Sequence, residues 1–493
     1  MTKQLMAYIF AGLIALCGTA YADVDHWKVS DLMKVPAHTM GYGLTTFEGD
    51  TPSEFNVEAL GMVPHGEAWL LLVRLSDKDG KNILESAHVY HGISGSPVYF
   101  DGKLVGAVAY AVDWEKEAIG FVTPFENSYK ENQGRRVVAK MAEAPKDVVI
   151  GGKQYALKPL MAFDTVLRAT PRGTAEVHTV AQPNNKFCPG CAVSVGIVTG
   201  DLTLAGSGTI TAVDGDTIYA FGHPMLGGAG IVSYPAWRTS VLTVLPSTHS
   251  SFFYVGNFKG DEATIEYDGT FGVYGTIGKT AEMIPVDLNV TVNGATKSLH
   301  CNVVYGQIAV EALQRVAATP LVELKELMGD VVLEFNGSIA PRGFSSVNTH
   351  EYYGRGAYDE MNIFQQFLSA VGTQYFANLQ ALFQAKSDLK IDKLTLSFKI
   401  IPGLRQTLLE KAWLRSPEVV ACGSLSLEFL LLERGLDPEA VRYTKTIELE
   451  IPESAQGRPG GTVTITSGKN LQPTNFDDLG DPSTLEDVIR RMN

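Results

Sequence analysis

His91-Gly92-Ile93-Ser94-Gly95-Ser96-Pro97-Val98-Tyr99-Phe100-Asp101-Gly102-Lys103-Leu104-Val105-Gly106-Ala107-Val108 is the stretch whose reading decides the fold. Asp101-Gly102 lies between two short apolar runs, and an Asp-Gly pair in that setting predicts a tight two-residue β-hairpin. Upstream the chain is a crowded turn, Gly-Ile-Ser-Gly-Ser closed by Pro97. Working outward, Ala68–Leu75, Leu104–Val112 and Ile119–Thr123 have the length and composition of strands. A second hairpin is expected at Asp214-Gly215-Asp216, between Thr209–Ala212 and Thr217–Ala220. Up to about residue 300 the chain therefore reads as β-structure in two parts, each with its own hairpin.

The segments beyond differ. Residues 308–328, interrupted at Pro320, and residues 359–387 carry helical spacing, with strand-like Val331–Phe335 between them. In the second helix Phe376, Leu379, Leu382 and Phe383 form an apolar stripe, which reads as core. Short strands return from Lys393 to about Ser467 and suit an immunoglobulin-like sandwich. The expected organisation is thus 1–22 as signal peptide, 30–150 as the first half of the β core, and 151–187 as a connection. It continues with 188–300 as the second half, 301–392 as an α/β segment, 393–469 as the sandwich and 470–493 as a tail.

Composition bounds the function. A chain of 493 residues with 45% hydrophobic and 19% charged residues has material for about three domains and is not a disordered or collagen-like polymer. A net charge of −14 has the wrong sign for a partner of phosphate backbones, so no nucleic-acid partner is expected. Lys3, an apolar run from Leu5 to Thr19 and Ala20-Tyr21-Ala22 have the layout of a cleavable signal peptide, which predicts a periplasmic or secreted protein. Cys188-Pro189-Gly190-Cys191 fits a redox pair, half of a zinc site or a small disulfide loop.

The chemistry is expected at the serine turn. Glycines on either side of Ile93-Ser94 let successive N–H groups converge, so the amides of Gly92 and Ser94 form a candidate oxyanion hole beside the Ser94 hydroxyl. Ser96 is the rival nucleophile, but it directly precedes Pro97 and lacks the Gly-x spacing. An α/β-hydrolase elbow would need glycine at position 96 and a helix where the hairpin stands. A serine needs a base. Of His26, His38, His65, His88, His91, His178, His223, His249, His300 and His350, His223 is favoured, because Tyr219-Ala220-Phe221-Gly222-His223-Pro224 places an imidazole just past a strand end. His88 and His91 are flanking residues of the serine turn. Asp79 is the preferred third member, with Asp77, Asp214, Asp216 and Asp261 as alternatives.

With both segments located, the chain resembles the SpoIVB-type serine peptidases. Gly92–Pro97 with Asp101–Val108, and Ala220–Pro224, carry the resemblance, supported by Phe271–Gly278. It implies a chymotrypsin-like core and an exported serine endopeptidase acting on protein or peptide substrates. Ser94 would be nucleophile, His223 base and Asp79 the orienting carboxylate, with no metal or cofactor. Here the serine segment precedes the histidine segment, the reverse of the sporulation peptidase, and no PDZ segment is evident. The resemblance covers roughly residues 38–290. The alternative is a catalytically inactive envelope protein that binds protein partners, through the C-terminal module in particular.

Overall fold

A computed structural model describes residues 24–78, 80, 82–112, 116–134, 147–150, 153–156, 158–159, 162–164, 186–256, 262–322, 331–355, 373–386, 388–402, 406–415, 423–434 and 441–450. The signal-peptide segment, the 470–493 tail, Asp79 and Asp261 lie outside these residues. The protein is mainly β, with a closed six-stranded barrel. It divides into two compact units, Met1–Thr199 with Thr203–Met283, and Gly200–Leu202 with Ile284–Asn493.

In the first unit, β1 (Met40–Thr45), β2 (Ser53–His65), β3 (Ala68–Asp77), β4 (Pro97–Phe100), β5 (Lys103–Ala111) and β6 (Ile119–Pro124) pair antiparallel in the order β1-β2-β3-β6-β5-β4, and β4 returns to β1. The predicted Asp101-Gly102 hairpin joins β4 to β5, both turn residues having positive φ. Closing the ring leaves no open edge and gives every strand an inner face to fill. Phe55, Val57, Leu71, Val73, Tyr90, Ile93, Val98, Val105 and Val108 fill it.

Four short strands follow: β7 (Asp147–Ile150), β8 (Lys153–Ala156), β9 (Lys158–Pro159) and β10 (Ala162–Asp164). A second ring is then built from β11 (Ala192–Gly200), β12 (Leu204–Asp214), β13 (Thr217–Ala220), β14 (Gly230–Arg238), β17 (Ala263–Asp268) and β18 (Val273–Ile277). Its antiparallel order is β11-β12-β13-β18-β17-β14, with β14 returning to β11. Numbered within each ring, the two orders are identical: 1-2-3-6-5-4.

Between β14 and β17 the chain leaves the second ring as a hairpin arm, β15 (Val241–Leu245) with β16 (Phe252–Val255). The arm completes the core of the first ring, where Val241, Val244, Phe253 and Val255 are buried. Two hydrogen bonds between Val241 and Gly49, and two more from His91 N to Ser251 O and Phe253 N to His91 O, hold it there. Cys188 and Cys191 form a disulfide rather than half of a zinc site. Its turn joins the rings, because Gly190 N donates to Ile210 O and Thr46 Oγ1 donates to Gly190 O.

In the second unit, β19 (Met283–Val292), β20 (Ala295–Val304), β21 (Val331–Pro341), β22 (Val347–Arg355) and β23 (Ile391–Pro402) lie in the order β20-β19-β23-β21-β22, with β19 and β23 parallel. Helices Ile308–Val322 and Thr373–Ala385 accompany the sheet, and Phe376, Leu379, Leu382 and Phe383 are buried as the stripe requires. A separate meander contains β24 (Gln406–Leu414), β25 (Ser424–Arg434) and β26 (Val441–Glu450).

Two expected boundaries are corrected. The second half of the β core ends at Met283, not 300, because the hairpin turning at Asn293-Gly294 belongs to the second unit. The strand expected to open the sandwich at Lys393 pairs instead with β19 and β21, and among the described residues of that segment β24–β26 form a separate sheet. Both errors have one cause: an alternating strand bounded by turn residues carries no record of which distant strand it pairs with.

Candidate functional site

The two candidate residues occupy equivalent places. Ser94 lies between the third and fourth strands of the first ring, and His223 between the third and fourth strands of the second. Both are fully buried.

The serine turn is held by its carbonyls. Ser94 O accepts from Thr209 N at 2.7 Å, Gly92 O from Thr209 Oγ1 at 3.0 Å and Gly95 O from Thr211 Oγ1 at 2.8 Å, all from β12 of the other ring. Gly95 N donates to Val108 O, and Ser96 N to Ile93 O. With the carbonyls turned toward β12, the amides of Gly92 and Ser94 donate to no backbone carbonyl among the described residues. This leaves the expected oxyanion donors unspent. Gly92 has φ +109, and a Cβ there would lie 2.1 Å from the Phe253 ring, so no other residue fits between the turn and the arm.

His223 follows Phe221 and Gly222, both at φ +71, which bend the chain out of β13. Thr123 Oγ1, at the end of β6, donates to Gly222 O at 2.7 Å. His223 Nδ1 lies 2.8 Å from Pro224 O. A carbonyl oxygen only accepts, so Nδ1 carries the proton and Nε2 the lone pair. That Nε2 is buried with no hydrogen-bond partner, as are Ser94 Oγ and Ser96 Oγ. The same strand flanks both segments: Val108 of β5 receives Gly95 N, Ala107 and Ala109 border Gly222, and the Tyr110 ring lies 5.7 Å from the imidazole. Ser94 and His223 thus share one seam between the rings without a direct hydrogen bond.

Burial, with the neighbouring His91 adding to it, holds the His223 imidazole down to about 4. The unfolded chain binds a proton near 6.5 and the folded chain does not. Stability from this group is present above pH 6.5 and is lost as pH falls toward 4, by about 3 kcal/mol. Urea unfolding at pH 7.5 and pH 4 should show wild type losing that much more than His223→Gln. An equal loss in both proteins would refute the assignment. Asp268, raised by burial, contributes with the opposite sign in both proteins.

The carboxylates sort differently from expectation. Asp77 receives Leu84 N at 2.8 Å and Glu85 N at 3.4 Å, which caps the helix Ile83–Ala87. Asp214 closes β12 and Asp216 lies in the second hairpin turn. The sequence reading missed Asp268, the last residue of β17, which is fully buried. It accepts from Met225 N at 2.7 Å, Leu226 N at 2.8 Å and Ala229 N at 3.3 Å, three amides of the turn that follows His223-Pro224. Glu131, in the helix Phe125–Gly134, holds the adjoining β17–β18 connection through Thr270 N, Phe271 N and Tyr274 OH. Nothing in Tyr267-Asp268-Gly269 separates Asp268 from Asp214, which likewise closes a strand of this ring before a glycine.

No protein-family model, no curated protein and no solved structure matches the chain.

Proposed function

We propose that the protein is an exported serine endopeptidase of SpoIVB type, which hydrolyses peptide bonds through an acyl-enzyme on Ser94. One observation carries the reading: a buried serine hydroxyl and a buried imidazole Nε2, both unpartnered, share a seam with two unspent amides. Buried polar atoms are almost always satisfied, and orphans collected in one place suit a group that arrives from outside. In the reaction Ser94 Oγ attacks the carbonyl and His223 Nε2 takes its proton. The amides of Gly92 and Ser94 receive the oxyanion, and water later releases the acyl group. Two closed rings with one strand order support a chymotrypsin-like core.

The seam is closed, so substrate enters when the rings part; rehydration then restores the basicity that burial removes from His223. Export rests on the signal-peptide pattern of residues 1–22. A second reading, an inactive envelope protein binding partners through its C-terminal module, draws on exposed Leu409, Leu414, Tyr443, Ile447 and Leu449 in the β24–β26 layer. An immunoglobulin-like sandwich would be built on that layer.

A fluorophosphonate probe separates the readings. Slow stoichiometric labelling of the folded protein, lost in Ser94→Ala and His223→Ala, is expected of the peptidase. Absence of labelling after prolonged incubation of folded wild type contradicts it.

A further inference from the structure

We propose that Asp268 is a positioning residue for His223, acting on the imidazole through the single peptide group that joins Pro224 to Met225. The proposal rests on His223 being the base. His223 Nδ1–H donates to Pro224 O at 2.8 Å, and Met225 N–H donates to Asp268 Oδ1 at 2.7 Å. Pro224 O and Met225 N belong to one planar amide, so the carboxylate, the amide and the imidazole form a continuous chain of hydrogen bonds.

The amide transmits two things. The first is position. The turn after His223 contains Gly227 and Gly228, both at positive φ, and has no regular structure of its own before β14 begins at Gly230. Asp268 Oδ2 gathers Leu226 N and Ala229 N as well, and the carboxylate is the one side chain among the described residues that receives three amides of this turn. Fixing those amides fixes Pro224 O, and therefore the ring plane and the Nδ1–H tautomer. The second is charge. A carboxylate drawing on the N–H end of an amide makes its carbonyl end more negative, as linked hydrogen bonds polarise one another. A more negative Pro224 O favours the imidazolium that forms when Nε2 takes a proton. A directly bonded aspartate performs both tasks in a Ser-His-Asp triad; here one peptide unit stands between acid and base.

The surroundings set the control experiments. Glu131 and Tyr234 face Asp268 electrostatically, and His91 with the Tyr110 ring faces His223. Glu131 bonds to the other side of the β17–β18 connection and reaches none of the amides from 225 to 229.

The test is NMR of the full chain with 15N-labelled histidine and 13C-carboxyl aspartate, assigned with His223→Gln and Asp268→Asn. In wild type the His223 nitrogens are expected to report the Nδ1–H tautomer. They should show a step at the pH where the Asp268 carboxyl carbon titrates, and the step should persist in Glu131→Gln. Asp268→Asn should remove that step, shift the Nδ1 resonance and slow fluorophosphonate labelling by about tenfold to a hundredfold, less than the roughly ten-thousandfold effect of a directly bonded aspartate. His223 nitrogens that ignore the Asp268 titration overturn the proposal, and they do so in wild type even where Asp268→Asn does not fold. Coupled titration in a protein that never labels keeps the link between Asp268 and His223 but removes the peptidase reading, and with it the base that the link would position.

Discussion

Ser94→Ala is expected to lower labelling and protein hydrolysis by at least about ten-thousandfold, the scale on which loss of a serine nucleophile acts, while Ser96→Ala stays within about threefold of wild type. Both hydroxyls are buried and unpartnered, so burial does not choose between them. The backbone does. Ser96 N is spent on Ile93 O and Ser96 O receives Val108 N, which builds Ser96 into the start of the β4–β5 hairpin. Ser94 offers its own amide and that of Gly92, and its carbonyl is drawn back by Thr209. An oxyanion formed at Ser94 has donors within the same turn; one formed at Ser96 does not. Rates from the three proteins, each checked for cooperative unfolding, decide the matter. Equal losses in the two variants would mean that the turn, not one hydroxyl, is what activity needs.

Gly95→Ala is expected to cost the most stability of any glycine-to-alanine change among the described residues. A Cβ at position 95 would stand 1.8 Å from Thr209 O and 2.6 Å from Phe221 N, both backbone atoms of the opposite ring, at φ +95. Backbone cannot swing aside as a side-chain tip can, so the rings must separate. Overpacking together with a left-handed backbone on a residue bearing Cβ costs about 3–5 kcal/mol, a large part of a domain's whole stability. Gly102→Ala supplies the comparison. Its φ is +72, but nothing lies within 4 Å of its Cβ, so only the conformational cost of about 1 kcal/mol remains. Urea midpoints of the two variants should differ accordingly. Similar midpoints would refute the tight apposition of the serine turn and β12.

What was legible in the sequence was local. Asp101-Gly102 and the turn at Asp214–Asp216 announce hairpins because their residues accept positive φ where others do not, and both hairpins form. Ring closure was not legible, since β1 with β4 and β11 with β14 meet by tertiary packing and leave no periodic trace. The same gap misassigned the 393–402 strand. Gly92, Ser94 and His223 stand out as candidates because turn chemistry singles out their neighbours. Asp268 could not be found that way. It acts on backbone amides, which every residue has, so nothing in Met225, Leu226 or Ala229 advertises a carboxylate partner.

A crystal structure of the fluorophosphonate-treated protein tests the central claim most directly. Phosphorus is expected on Ser94 Oγ, with the phosphonyl oxygen within hydrogen-bond reach of the Gly92 and Ser94 amides and His223 Nε2 within about 3 Å of the adduct oxygen. Phosphorus on another residue, or on Ser94 with its oxygen turned from those amides and His223 still buried apart, would contradict it.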